Sequence, residues 1–172
     1  MKTMIAAVLG VLLLHVNAFS FNRHAKPAEA TVARDVAMDG KFQKVSVGDN
    51  IHLVLLPGEQ KNSVTIEGAE TLVGQVNVTF SKNEMRIAGK KNMKHGRIVV
   101  YVPAKDINYI RLNSGASLSA QGVLNSSDLT VILNVGSSVN LVSYRDINIK
   151  GTDDCDVQYQ KLEKMNVITM AK

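Results

Sequence analysis

A short motif recurs in the C-terminal half of the chain and limits the folds open to it. Arg111-Leu112-Asn113-Ser114-Gly115-Ala116-Ser117-Leu118 is followed 21 residues later by Ile132-Leu133-Asn134-Val135-Gly136-Ser137-Ser138-Val139. A weaker copy follows after 18 more, Lys150-Gly151-Thr152-Asp153-Asp154-Cys155-Asp156-Val157. Self-similarity at about 20 residues marks a solenoid, in which each repeat forms one coil stacked on the next.

Aligning the copies gives columns. Ile110, Val131, Ile149 and Val167 share one, and Leu118, Val139 and Val157 a second. Ala120, Leu141 and Tyr159 share a third, and Leu129, Ile147 and Met165 a fourth. Apolar residues alternate within each copy, which puts them on one face of a strand, and β-branched types dominate. The polar corner between strands reads Asn113, Asn134, Thr152, and two places on Gly115, Gly136, Asp154. Gly tolerates φ > 0 freely and Asp is among the few other residues that visit it, so this column predicts a left-handed corner. Stacked Asn113 and Asn134 are expected to bond from coil to coil as an amide ladder. An ordinary antiparallel sheet with Asn/Gly/Ser turns also fits the alternation; the column matching favours the solenoid.

The chain of 172 residues suffices for one well-buried domain. Its first 18 residues read as a secretory signal: Lys2, an apolar run from Met4 to Val16, then Val16-Asn17-Ala18 ahead of cleavage before Phe19. The run is short for a membrane span, and no cysteine near Phe19 is available for a lipid anchor. Formal charge is +5, falling to +4 once Lys2 leaves with the signal. That mildly basic balance attracts anionic surfaces, with nucleic acid the least expected partner of an exported protein. Cys155 is the sole cysteine, so no internal disulfide forms. It reads as a small packed residue, or as an intermolecular disulfide or reactive thiol; the flanking Asp153, Asp154 and Asp156 argue against a thiolate.

Residues 19–40 are polar and read as a tether before a domain spanning 41–172. Within it, a strand-rich, irregular head occupies 41–105 and coils occupy 106–172. Head strands are expected at Phe42–Val47, Ile51–Leu55, Val64–Ile66, a Val76–Phe80/Met85–Ile87 hairpin, and Ile98–Val102 closed by Pro103. No convincing helix period occurs, so the fold class is all-β.

Phe42-x-x-Val45-x-Val47-Gly48, Asn83-Glu84-Met85-Arg86-Ile87, Val100-x-Val102-Pro103 and Ile110-Arg111-Leu112-Asn113-Ser114-Gly115-Ala116-Ser117 together resemble the head GIN domain of bacterial auto-transporter adhesins. The resemblance covers roughly residues 40–172. It implies an exported protein built on a right-handed parallel β-helix whose strand–Ser-Gly-Ala-Ser–strand coil repeats. Here that signature decays to Val135-Gly136-Ser137 and then Asp153-Asp154-Cys155, and the chain stops within what would be a fourth coil.

Lys90, Lys91, Lys94 and Arg97 cluster in one inter-strand segment and are the best anionic-ligand patch the sequence offers, against the plainer reading of a solvated loop. Asp153, Asp154 and Asp156 lack a calcium-loop pattern, and His15, His24, His52 and His95 are scattered, so no metal or cofactor is expected. Ser114 and Ser117 sit in no nucleophile pattern. Three functions follow in order: a non-enzymatic binding or adhesion module of the envelope taking a glycan or surface component; a structural β-helix self-associating through Met165–Met170; and a polysaccharide-acting enzyme. The last needs acid/base pairs on one coil face, whereas outward positions are mostly Ser, Asn, Thr and Lys, and Trp is absent. Export leaves the periplasm, the outer surface and the medium as locations.

Overall fold

Alternating apolar residues fold into thirteen strands among the described residues, which in this computed structural model are 30–58, 61–90, 96–126 and 128–163. The stretch read as a secretory signal, Lys91, Lys94 and the 165–170 run lie outside them.

In chain order the strands are β1 (Thr31–Ala37), β2 (Lys44–Val47), β3 (Ile51–Leu56) and β4 (Ser63–Ala69), then the one-turn helix α1 (Glu70–Val73). There follow β5 (Val76–Ser81), β6 (Glu84–Gly89), β7 (Ile98–Pro103), β8 (Tyr109–Leu112) and β9 (Ser117–Ala120). The last are β10 (Thr130–Leu133), β11 (Ser138–Ser143), β12 (Asn148–Lys150) and β13 (Asp156–Lys161). They form two mixed sheets and no closed barrel. Sheet A has the order β1-β4-β7-β3-β9-β11-β13, and sheet B the order β12-β10-β8-β2-β6-β5.

Five times a sheet B strand is followed in the chain by a sheet A strand: β6/β7, β2/β3, β8/β9, β10/β11 and β12/β13. These pairs stack in the same order in both sheets, all in parallel. The register is that of the repeat columns: Val131 faces Ile110 on one side and Ile149 on the other, and Val139 faces Leu118 and Val157. Inward residues of both sheets share one core, with Val45, Ile110 and Val131 at 1%, 0% and 0% exposure. Ile98–Val102 reads as a continuous apolar run because Val99 is buried even on the outer side.

Three sequence expectations need correction. The head is not irregular relative to the coils. Its β2/β3 lies between β6/β7 and β8/β9, so Val45 meets Ile110 and Leu53 meets Leu118 at the same register as the later repeats. The stretch read as a tether contains β1, which pairs antiparallel along all of β4; Val32 and Val36 pack against the core, and the Arg34 guanidinium donates to the Val76 carbonyl at 2.6 Å. The sheets are also not purely parallel. Antiparallel β1 and β4 extend sheet A beyond β7, β5 extends sheet B beyond β6, and α1 bridges them, so this end of the stack is closed by a different pattern.

The corners explain the polar columns. Asn113, Asn134 and Thr152 carbonyls accept from the backbone N–H three residues on, at 3.0, 3.0 and 3.1 Å. Gly115 and Gly136 both sit at φ 68°, as a turn with a left-handed third residue requires. Asn50, one coil back, joins the column at φ 57°. Asp154 does not: the left-handed non-glycines among the described residues are Asn50, Lys82, Asp106 and Asp128. The third corner closes on the ordinary side of φ, although Asp106 and Asp128 adopt the left-handed region elsewhere. The amide ladder has one rung, Asn134 Nδ2 donating to Asn113 Oδ1 at 3.2 Å.

Candidate binding faces

Because side chains alternate across a strand and the strands stack in register, outward residues form rows running along the stack at about 4.8 Å per strand. On sheet B one row reads Thr79, Arg86, Ser46, Arg111, Ile132, Lys150. The next reads Ser81, Glu84, Lys44, Tyr109, Thr130, Asn148. Lys44, Arg86, Arg111 and Lys150 are exposed. Arg111 donates to the Tyr109 hydroxyl at 3.1 Å and lies 6.0 Å from the ring centroid, so the phenol steadies the guanidinium. The facing carboxylate is Glu84, 3.8 Å from Arg86 across open solvent, a pair worth little. Lys44, Ser46, Glu84, Arg86, Tyr109 and Arg111 surround a shallow groove.

Sheet A presents a less charged face. Its rows include Val99, His52, Ser117, Ser138, Asp156 and Tyr101, Val54, Ser119, Asn140, Gln158. His52 Nε2 and Ser119 Oγ lie 2.8 Å apart, the hydroxyl donating when Nε2 is bare. Burial, then the Arg97 charge, pushes the His52 pKa below 6.5. Burial raises the Tyr101 pKa, and the Glu67 side chain that the phenol bonds adds to the rise.

The His52 shift fixes a pH dependence. The unfolded chain takes up a proton at His52 before the folded one does, so stability rises with pH. His52 costs nothing above its unfolded pKa of 6.5. Stability is lost as pH falls through 6.5 and until it passes the lower folded pKa. Urea midpoints measured from neutral to mildly acidic pH are expected to fall less steeply for His52→Gln than for the native protein; equal slopes would show that His52 does not titrate this way.

Of the basic segment singled out by sequence, the two described ends, Lys90 and Arg97, adjoin different sheets. Lys90 follows β6 on the sheet B side, its N–H donating to the Gln75 carbonyl at 3.0 Å. Arg97 precedes β7 on the sheet A side, beside Glu67 and Tyr101. Lys91 and Lys94 lie outside the described residues. Asn113, Gly115, Asn134 and Gly136 occupy corners, as placed by the repeat. The sheet B cation row was missed. Arg111, Ile132 and Lys150 already share a repeat column, but Arg86 and Ser46 join it only through the head's unforeseen stacking.

Cys155 is half-buried; its thiol donates to the Asn134 carbonyl at 3.3 Å, with Thr152 Oγ1 at 3.6 Å and Ser137 Oγ at 3.8 Å. Burial raises its pKa, but hydrogen bonds from Thr152 and Ser137 outweigh that and leave it lowered, contrary to what the flanking aspartates imply. Among the described residues no group of three or more His, Cys, Asp or Glu side chains is placed to hold a metal.

A family model described as "Putative auto-transporter adhesin, head GIN domain" matches residues 41–166. The chain belongs to this head GIN family. No curated protein matches it. Among solved structures, head GIN residues here resemble a putative adhesin from Parabacteroides distasonis, with a TM-score of 0.62, 14% identity, and 76% of this chain and 56% of that one covered. A putative adhesin from Parabacteroides merdae gives 0.54 and 16%, covering 69% and 52%. The chain thus spans about half the length of these two structures, which share its fold at low identity.

Proposed function

We propose that this head GIN protein is an exported, non-catalytic binding module of the bacterial envelope, working on the outer side of the inner membrane. Its five stacked strand pairs are, in this reading, coils of a right-handed β-helix. The observation that carries the proposal is the pair of sheet faces on which polar side chains recur in fixed rows. A parallel ladder holds these rows rigid, so little ordering entropy is lost on contact with an extended surface. The secretory segment and the adhesin family support the location and the role.

An array of envelope components and surface glycans tests it. Saturable binding to one class, without release of reducing ends or unsaturated sugars, is expected. Turnover of any bound glycan would contradict it and revive the enzymatic reading.

A second reading, self-association, has one observation in its favour. Val157 is 49% exposed although its column partners Val139 and Leu118 are buried at 2% and 1%. Another copy stacking on β12/β13 would cover it. Light scattering over a concentration series decides. A mass that rises with concentration, and not in Val157→Glu, supports stacking; a constant monomer mass removes it.

A further inference from the structure

Resting on the binding-module reading, we infer that the outer face of sheet B is the contact face, and that its ligand is an extended polysaccharide bearing a carboxylate on alternate sugar rings. The inference starts from spacing. Along one row, cations stand on β6, β8 and β12 as Arg86, Arg111 and Lys150, while the strands between carry Ser46 and Ile132. Charge therefore repeats every second strand, at about 10 Å. A stretched glycan with one acid per two rings places its carboxylates at a comparable interval, so one chain lying along the stack meets successive cations.

The chemistry fits the spacing. Guanidinium groups take carboxylates through two parallel hydrogen bonds, which a lysine in the same place does not offer. Arg111 is held towards its task by the Tyr109 hydroxyl, and the Tyr109 ring is an apolar surface beside it for a sugar face. The Ser46 hydroxyl lies between Arg86 and Arg111 in the same row. Lys44, in the adjoining row, adds a fourth cation, against Glu84 alone on these strands' outward side. Because the ladder fixes the strands, the charges are pre-spaced rather than gathered on binding. Single-stranded nucleic acid is a poorer match: its bases ask for a series of aromatic platforms, and this face has Tyr109.

The test uses hyaluronan, which carries a carboxylate on alternate rings, with its methyl ester, a single-stranded DNA homopolymer and anionic phospholipid vesicles as competitors. The protein is expected to bind hyaluronan, to lose affinity as salt rises, and to ignore the ester. Arg86→Ala and Arg111→Ala should each weaken binding about tenfold, and Arg111→Lys less. Lys61→Ala, which removes the same charge from a loop elsewhere, should leave it unchanged. Unchanged binding in the arginine variants, equal loss in Lys61→Ala, equal binding of the ester, or tighter binding of DNA or vesicles would each overturn the inference. Binding only to a neutral glycan or another envelope component would overturn it while leaving the binding-module reading intact. No binding to any arrayed component would overturn both. All three substituted side chains are exposed, and matched urea midpoints establish that a loss is not unfolding.

Discussion

Gly115→Ala lowers stability by about 1–2 kcal/mol, more than Gly136→Ala at about 1 kcal/mol, although the two glycines share a column and a φ of 68°. Both substitutions carry the left-handed cost of a Cβ. They differ in what the new methyl meets. At Gly115 it would lie 2.5 Å from the Asn50 side-chain oxygen; at Gly136 the nearest atom is the Gly115 nitrogen at 3.9 Å. The difference exists because β2/β3 packs its corner directly against that of β8/β9, where Asn50 N–H donates to the Ser114 carbonyl at 3.3 Å. A double-mutant cycle isolates it. Asn50→Gly removes the obstructing side chain and its own left-handed cost, so Gly115→Ala should be milder in that background. Urea midpoints at constant m measure all four proteins. Equal effects of the two glycine substitutions would show that the Asn50 side chain moves aside without cost.

The second large effect is in the core. Ile110→Ala is expected to cost about 3–4 kcal/mol, a substantial part of the stability of a typical domain. Ile110 is fully buried on β8 with Val45 and Val131 as its lateral neighbours, so neither side can collapse into the space left behind. Ile149, in the same column on β12, is only half-buried and should cost markedly less on the same change. Comparable losses at Ile110 and Ile149 would mean that burial does not grade along the stack as described.

These two predictions also show where the sequence is legible. Ile110, Val131 and Ile149 could be aligned because consecutive coils keep nearly the same length, and the register confirms the column residue for residue. Val45 could not be added to it. The corner of its unit is Gly48-Asp49-Asn50, with asparagine where the next two copies carry glycine, and β4, α1 and β5 intervene before the chain returns as β6/β7. A stack whose order departs from chain order leaves no fixed period to detect. β1 escaped notice for a different reason. Val32 and Val36 are separated by Arg34, so the strand lacks an apolar alternation, and its place is set by pairing with β4.

The candidate face followed the same division. Arg111 and Lys150 were visible as members of a repeat column, but a row of cations appears only once Arg86 and Ser46 are brought alongside by the head strands. The segment chosen from sequence, Lys90 to Arg97, is dense in charge, yet its two described ends belong to different sheets.

The central claim is that sheet B's outer rows receive the ligand, and the most direct measurement is the crystal structure of the protein with an oligosaccharide of hyaluronan. The account predicts the sugar lying across β6, β2 and β8, with carboxylates at Arg86 and Arg111. A sugar bound along sheet A, at His52 and Ser119, or against the segment between Lys90 and Arg97, would contradict it.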